Sequence, residues 1–207
     1  MGVMHVKFWE THFYTDVLTE ADDILKEWDP YIEDESYISD SLWTMANTKS
    51  SIRNENNDKL PWKIWFDAVQ PHVNKYLEGL DPQVPYSVFC DEMWFNKYKK
   101  GDYQEPHDHA FPGRSLSAVY VLDFPDQEED VGGQLVLECP NFQTIRSSGM
   151  DRIFNAYNYQ HITPPLQKGT LVLFPSWVSH YVLPNKTDSR RATIAANFVI
   201  RPADANE

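Results

Sequence analysis

The segment Glu105-Pro106-His107-Asp108-His109 places two histidines two residues apart. In an extended segment such residues point to the same side, so His107 and His109 can face one metal ion while Asp108 points away. A third histidine, His180, follows a Phe-Pro-Ser turn and precedes a further strand-like run. Two histidines and a third donor around an open coordination position suit non-haem iron(II), although imidazole also binds zinc, copper and nickel.

A second motif, Arg190-Arg191-Ala192-Thr193, opens the last strand-like run of the chain. In a strand Arg191 and Thr193 share one face, and a guanidinium fork beside a hydroxyl makes a good receptor for a carboxylate. Taken alone, the motif is interpreted more simply as an exposed arginine pair beside a turn.

The elements that must position these residues change character along the chain. Residues 1–83 are predicted to be mainly helical, and residues 84–207 show the alternating pattern of short strands. We expect one domain, mainly β, in which a double-stranded β-helix (jelly roll) carries N-terminal helices packed on one sheet. The predicted strands are Tyr86–Cys90, Met93–Tyr98, Leu116–Leu122, Gln134–Leu137, Thr170–Phe174, Tyr181–Leu183 and Thr193–Ile200.

Two helices are predicted before the strands. A capping box at Thr19 opens the first, which ends at Asp29-Pro30. The second begins at Pro61, ends near Gly79 and is interrupted or kinked at Pro71. Between the strands, residues 141–165 lack periodicity and are predicted to form an ordered lid or a substrate-facing segment.

Composition limits the classes of partner. The 207 residues include 18 basic and 31 acidic side chains, a formal net charge of -13, which argues against nucleic-acid binding through phosphate neutralisation. No apolar run is long enough to span a bilayer and no signal-peptide core is visible, so the expected location is the cytoplasm. Cys90 and Cys139 are expected to be buried, reduced thiols.

Taken in order, several motifs resemble the iron(II)/2-oxoglutarate-dependent oxygenases. Within that family the chain is similar to the prolyl-hydroxylase-like branch and to small members from bacteria and phages. The matching motifs are Tyr98–Gly101, Pro106–His109, Leu116–Leu122, Gly132–Leu135, Pro165–Gly169, Leu171–Ser176, His180 and Arg191–Thr193.

The resemblance implies a double-stranded β-helix that holds Fe(II) at one mouth, with His107 as the first ligand and His180 as the distal one. It also implies that Arg191, assisted by Thr193, binds the distal carboxylate of 2-oxoglutarate. The residues implied to line the cosubstrate pocket are Tyr98 and either Asn96 or Tyr120.

One position departs from the family pattern. Members usually carry Asp or Glu two residues after the first histidine, where this chain has His109. We therefore expect three metal ligands, His107, His109 and His180, and no catalytic side chain beyond them. A carboxylate from Asp108 or Glu105 is the alternative second ligand.

The resemblance implies an enzyme that uses Fe(II), 2-oxoglutarate and O2 to hydroxylate a substrate with release of succinate and CO2. A peptidyl or amino-acid substrate is the first hypothesis, and a protein or other small molecule is the wider class. Two alternatives stay open: a three-histidine, cupin-like dioxygenase that needs no 2-oxoglutarate, and a non-catalytic metal-binding jelly-roll module.

Overall fold

The computed structural model describes residues 10–40, 46–125, 130–152 and 159–203. Its α-helices are α1 (Ala21–Ile32), α2 (Trp62–Glu78) and α3 (Phe142–Ser147), and short 3-10 turns occupy Glu35–Tyr37, Asn57–Lys59 and Met150–Arg152. The strands, in chain order, are β1 (Tyr14–Val17), β2 (Ser39–Asp40), β3 (Ala46–Asn47), β4 (Lys49–Ser50), β5 (Tyr86–Tyr98), β6 (Tyr103–His107), β7 (Arg114–Asp123), β8 (Leu135–Glu138), β9 (His161–Ile162), β10 (Thr170–Pro175), β11 (His180–Val182) and β12 (Arg191–Pro202).

Within the described residues the strands form two antiparallel sheets. The larger has the order β1-β10-β7-β12-β5-β4-β2, and the smaller has the order β3-β6-β11-β8-β9. From β5 to β8, and again from β9 to β12, consecutive strands alternate between the sheets, which is the winding of a jelly roll. The predicted fold class, a mainly β jelly roll with N-terminal helices, is confirmed.

The larger sheet separates two hydrophobic cores. On one face it packs against α1 and α2, where Ile24, Trp28 and Trp65 are fully buried. On the other face it packs against the smaller sheet, with Val121 and Phe174 meeting Leu135. The period of two along each strand therefore assigns alternate side chains to the helix layer and to the interior between the sheets.

The prediction of the first helix needs two corrections. No side chain caps α1, and the Thr19 hydroxyl donates to the neighbouring Glu20 carboxylate instead of forming the predicted capping box. The helix does not end at Asp29-Pro30 but continues to Ile32, because Ile32 is buried in the core while Pro30 lies on the exposed side, where its missing N–H is tolerated.

The second helix also tolerates its proline. It starts at Trp62 with Pro61 as its N-cap, ends at the predicted Gly79 and runs unbroken through Pro71, which is exposed. The five buried residues on its inner face outweigh one lost backbone hydrogen bond. The predicted helical part also contains β1 and the short strands β2, β3 and β4, which extend both sheets.

The strand predictions are correct in position but not always in number. Tyr86–Cys90 and Met93–Tyr98 are one continuous strand, β5, because the polar step between them is a bulge rather than a turn: Asn197 pairs with Glu92 and Phe198 with Cys90, which leaves Asp91 without an opposite residue. The short strands β1, β6 and β9 were not predicted as strands.

Two further expectations concern single segments. Cys90 and Cys139 are free, but both are half-buried rather than fully buried. The segment 141–165 contains α3, the 3-10 turn Met150–Arg152 and β9. Its residues 153–158, including Asn155, Tyr157 and Asn158 of the predicted substrate-facing segment, lie outside the described residues.

Candidate metal centre and cosubstrate pocket

The three predicted metal ligands lie together. His107 ends β6 and His180 begins β11, and the two are direct partners in the antiparallel pairing of these strands. His109 follows β6 by two residues, and its backbone N–H donates to the carbonyl of Ser176 at 2.8 Å. One nitrogen from each ring lies within 4.8 Å of the others, a separation that one metal ion can bridge. Neither Asp108 nor Glu105 belongs to this group.

Backbone hydrogen bonds orient the rings of His107 and His180 in the same way, with Nδ1 toward a carbonyl oxygen. The Nδ1 of His107 lies 2.8 Å from the Glu105 carbonyl, and the Nδ1 of His180 lies 3.0 Å from the Val178 carbonyl. Carbonyl oxygens only accept, so both rings donate from Nδ1 and carry their lone pair on Nε2. This is the arrangement in which a histidine is presented to a metal through Nε2.

Burial keeps the cluster neutral. Desolvation lowers the pKa of His107, and desolvation together with the neighbouring His107 lowers the pKa of His109 to about 4. The pKa of His180, which is more deeply buried, falls well below its usual value for the same reasons. All three rings are therefore neutral at pH 7, with one proton each, and a neutral imidazole is the form that binds a metal.

A narrow chamber leads inward from the histidines. Its volume is about 30 Å³, and it opens into a cleft of about 600 Å³ on the outer side. One wall consists of three cross-strand pairs of β12 and β5: Arg191 with Tyr98, Thr193 with Asn96, and Ala195 with Trp94. A dicarboxylate that reaches the inner end must displace side chains, because the chamber alone has room for about one water molecule.

Arg191 is a buried residue of the chamber lining. Its side chain is 1 % exposed, its Nε donates to the Gly133 carbonyl at 3.0 Å, and its guanidinium carbon lies 3.8 Å above the Tyr98 ring. In the described part of the chain no carboxylate pairs with it, and Nη1 has no hydrogen-bond partner. A buried cation in this condition is costly unless an anion binds it.

The neighbouring arginine has a different role. Arg190 is half-buried and forms ion pairs with Asp123 of β7 and with Asp29 and Glu33 at the end of α1. The interpretation as an exposed arginine pair is therefore wrong for both residues: Arg190 is half-buried and ion-paired, and Arg191 is buried.

The structure separates the three residues suggested for the pocket lining. Tyr98 and Asn96 line the chamber as expected. Tyr120 does not: it is fully buried in the core between the larger sheet and the helices. The neighbouring residue of β7, Val119, faces the chamber instead.

Sequence reasoning missed two features of the site. Asn197 and Ser117 contact the Nδ1 of His109 at 2.8 and 3.1 Å. Asn197 could have been found, because it continues the alternate series from Arg191 and Thr193. The role of Gly133 was also missed: a Cβ there would lie 2.7 Å from Arg191 Nε, so the close approach requires glycine.

Comparison with known families agrees with this geometry. Residues 92–197, just over half of the chain, match the family model 2OG-FeII_Oxy_5, which describes 2OG-Fe(II) oxygenases. The chain belongs to the 2OG-Fe(II) oxygenase family. It is thus a non-haem iron oxygenase, and the cofactors of this family are Fe(II), 2-oxoglutarate and O2. No curated protein sequence matches the chain.

Solved structures of other oxygenases share the fold. A prolyl-4-hydroxylase from Pseudomonas putida is 19% identical, with a TM-score of 0.61 over 90% of this chain and 91% of that one. A prolyl hydroxylase from Trichoplax adhaerens, in complex with a hypoxia inducible factor peptide fragment, is 14% identical, with a TM-score of 0.64 over 90% and 83%. HygX from Streptomyces hygroscopicus, with nickel, 2-oxoglutarate and hygromycin B bound, is 11% identical, with a TM-score of 0.61 over 94% and 84%.

The residues of this oxygenase fit the family's cofactors. Three neutral imidazoles form a donor set suited to a late first-row divalent metal. Arg191, whose Nη1 has no hydrogen-bond partner among the described residues, lines the same chamber and suits a carboxylate. Among the described residues, no helix is long and apolar enough to cross a membrane.

Proposed function

We propose that this oxygenase hydroxylates a peptidyl or amino-acid substrate at an iron centre held by His107, His109 and His180, with 2-oxoglutarate converted to succinate and CO2. The observation that carries the proposal is that a three-histidine cluster and a buried, unpaired arginine line one chamber. A ligand that offers a carboxylate to Arg191 and further oxygens toward the histidines satisfies both, and 2-oxoglutarate has this form.

The protein's own residues bind and orient this cosubstrate. Arg191 receives the distal carboxylate through its unpaired Nη1, and the Thr193 hydroxyl adds a hydrogen bond from the same strand face. The Tyr98 ring holds the guanidinium plane in place from across the strand pair. Fe(II), when bound by the histidines, supplies the activation of O2 that is coupled to decarboxylation of 2-oxoglutarate.

Desolvation strengthens the recognition of the cosubstrate. Arg191 and Thr193 are almost fully buried, and the chamber excludes bulk water apart from its opening into the cleft. In such a setting a charge-assisted hydrogen bond is stronger than at the surface. Binding of the cosubstrate would also relieve the cost of the buried, unpaired cation, which favours a dicarboxylate over a monocarboxylate of similar size.

The cleft has room for a substrate larger than a single small chemical group. It holds about 600 Å³ beside His107 and His109, and most of the residues that line it are neutral and polar, with Trp94 and Ile52 among the apolar ones. The likeness in fold to prolyl hydroxylases, one of them bound to a peptide, makes a peptidyl substrate the first choice. The likeness in fold to HygX, which has hygromycin B bound, means that the wider class of possible substrates still includes other small molecules.

A second candidate is a dioxygenase that uses three histidines and no 2-oxoglutarate. The absence of Asp108 and Glu105 from the histidine cluster favours it. The buried Arg191 argues against this second candidate. An enzyme without a dicarboxylate cosubstrate has no need of a buried cation in the chamber that lacks a carboxylate partner among the described residues.

Turnover of 2-oxoglutarate decides between the two candidates. The purified protein, given Fe(II), O2 and 2-oxoglutarate, should release succinate and CO2 in equal amounts, and proline-containing peptides should accelerate the reaction and gain one oxygen atom. Arg191→Lys should raise the KM for 2-oxoglutarate about 10- to 100-fold, because the shorter-reaching ammonium lacks the planar guanidinium that places Nη1 toward the carboxylate. Oxidation of a substrate without consumption of 2-oxoglutarate would support the second candidate.

A further inference from the structure

Three buried polar side chains lie close to His109. Asn197 and Ser117 are direct partners on β12 and β7, and Ser176 follows the end of β10. All three are at most 1 % exposed. Burying polar groups is costly unless they are hydrogen-bonded. Here Asn197 and Ser117 contact the His109 ring, and the Ser176 hydroxyl contacts that of Ser117.

The hydrogen bonds converge on one atom, Oδ1 of Asn197. His109 Nδ1 lies 2.8 Å from it and Ser117 Oγ lies 3.0 Å from it. An amide oxygen only accepts, so the imidazole and the hydroxyl are both donors. Ser176 Oγ lies 3.1 Å from Ser117 Oγ and can donate to it, which leaves the Ser117 proton for Asn197.

The orientation of this amide determines whether His109 can bind a metal. With Oδ1 against the ring, Nδ1 carries the proton and Nε2 carries the lone pair. With Nδ2 against the ring, the amide would donate to Nδ1 and Nε2 would carry the proton, so that it could not act as a ligand. The observed orientation leaves Nδ2 of Asn197 without a partner among the described residues, a cost that the contacts at Oδ1 must offset.

His109 differs in this respect from the other two ligands. Backbone carbonyls of Glu105 and Val178 orient His107 and His180, and a side-chain substitution does not remove a backbone acceptor. His109 lies beyond the end of β6, where its backbone is held by the Ser176 carbonyl and its ring depends on side chains alone. A side-chain substitution can therefore release this ring and leave the other two in place.

We infer that Asn197 is a positioning residue of the metal centre: with the support of Ser117 and Ser176, its Oδ1 holds His109 in the tautomer and the ring orientation that present Nε2 to the metal. The inference rests on the proposed function, in which His109 is the second ligand. It assigns to Asn197 the control of metal affinity at that ligand, with no contact to 2-oxoglutarate.

The first measurement is the tautomer of each histidine in the full-length, metal-free protein, read from long-range proton–nitrogen NMR spectra of ¹⁵N-histidine-labelled samples. We expect the wild-type protein to carry the proton of His107, His109 and His180 on Nδ1. In Asn197→Leu, a change of similar size without an acceptor, His109 alone should lose this preference. An unchanged His109 signal in this variant would overturn the inference.

The second measurement is the affinity for Co(II), used as an air-stable probe of the site. Asn197→Leu should bind Co(II) about 10- to 100-fold more weakly and show altered visible absorption, as is typical when the partner of a ligating histidine is removed. Asn197→Asp keeps the acceptor oxygen and should retain both the tautomer and most of the affinity. Equal loss in Leu and Asp variants would indicate a structural effect and contradict the inference.

Two controls separate the possible failures. Thr170→Val removes another buried hydroxyl, at the opposite end of β10, and should leave Co(II) affinity unchanged. If Asn197→Leu does not fold, Ser117→Ala, which deletes one donor to Oδ1, should still weaken Co(II) binding, and normal binding by it would count against the inference. If the wild-type protein binds no Co(II), or binds it no more tightly than His107→Ala does, the result contradicts the proposed function and not the role of Asn197 alone.

Discussion

His107 and His180 are direct partners in the β6–β11 pairing, and their ring centroids lie 4.3 Å apart. The strand register thus creates the site, since a shift of one residue would turn one of the two rings to the opposite face of the sheet. Because the two residues lie far apart in the chain, it is the folded jelly roll that brings both rings together.

We predict that His180→Ala weakens Fe(II) or Co(II) binding by more than about 100-fold. Removing a histidine that binds the metal directly should cost more affinity than the loss of about 10- to 100-fold that is typical when the hydrogen-bond partner of such a histidine is removed. Calorimetric titration of the metal-free protein measures this. The matched control is His161→Ala, an exposed histidine of β9, which should bind metal as the wild type does. Similar losses in both variants would contradict the assignment.

The close approach of Gly133 to Arg191 gives a prediction for cosubstrate affinity. Gly133 has a φ of +68°, and an added Cβ would lie 2.7 Å from Nε and 2.8 Å from Cδ of Arg191. Gly133→Ala should therefore displace the guanidinium and weaken 2-oxoglutarate binding by at least about tenfold, roughly 1.4 kcal/mol, with metal affinity unchanged.

Gly149→Ala is the matched control for backbone strain. Gly149 has a φ of +75°, but an added Cβ there would meet nothing within 4 Å. Both variants are strained in the left-handed region, so the difference between them isolates the contact with Arg191. Equal 2-oxoglutarate affinity in the two variants would show that the contact does not matter.

The lowered pKa values of the histidines predict a pH-dependent stability of the metal-free protein. The unfolded chain takes up protons near pH 6.5, whereas folded His109 does so only near pH 4, and the pKa values of His107 and His180 are also lowered. Between these limits the unfolded state binds more protons, so stability falls as the pH falls.

Denaturant unfolding at about pH 7 and about pH 5.5 measures this effect. Each histidine charged only in the unfolded chain costs up to roughly 1.4 kcal/mol per pH unit. The window lies above the usual carboxylate pKa range, so carboxylates contribute little to it. His180→Phe should reduce the slope, and a stability that is constant or rises toward pH 5.5 would contradict the description of the cluster as buried and neutral.

The helix layer supports the sheet that carries Arg191 and Asn197. Trp28 of α1 is fully buried and packs edge-on against Trp62 of α2, 4.8 Å between ring centroids, and against Phe95 of β5, at 5.7 Å. Trp28→Ala should lower the free energy of unfolding by about 3–5 kcal/mol. Trp177→Ala, at a half-exposed position, should cost much less, and equal losses in urea unfolding would contradict this description of the core.

The sequence predicted most of the strand face that forms the pocket wall. Arg191 and Thr193 share the chamber face, and Ala192 and Ile194 face the helices, because alternation in a strand is strict. The prediction that Tyr120 lines the pocket was wrong, because it came from the resemblance and not from this alternation. The neighbouring Val119 faces the chamber, and Tyr120 faces the helices.

Other features depend on tertiary packing and could not be derived locally. The predicted end of α1 at Pro30 was wrong because the burial of Ile32 outweighs the local preference of proline. The bulge at Asp91 gives the same local signal as a turn, and only the pairing with β12 distinguishes them. The dependence of His109 on Asn197 joins residues 88 positions apart in the chain.

The central claim is that one chamber holds both the metal and 2-oxoglutarate. Anaerobic titration of the Fe(II)-loaded protein with 2-oxoglutarate tests it most directly, through the visible charge-transfer absorption that arises when the cosubstrate binds at the iron. We expect this absorption in the wild type, its loss in His107→Ala, and a shift to about 10- to 100-fold higher 2-oxoglutarate in Arg191→Met. Iron binding without any such absorption would contradict the account.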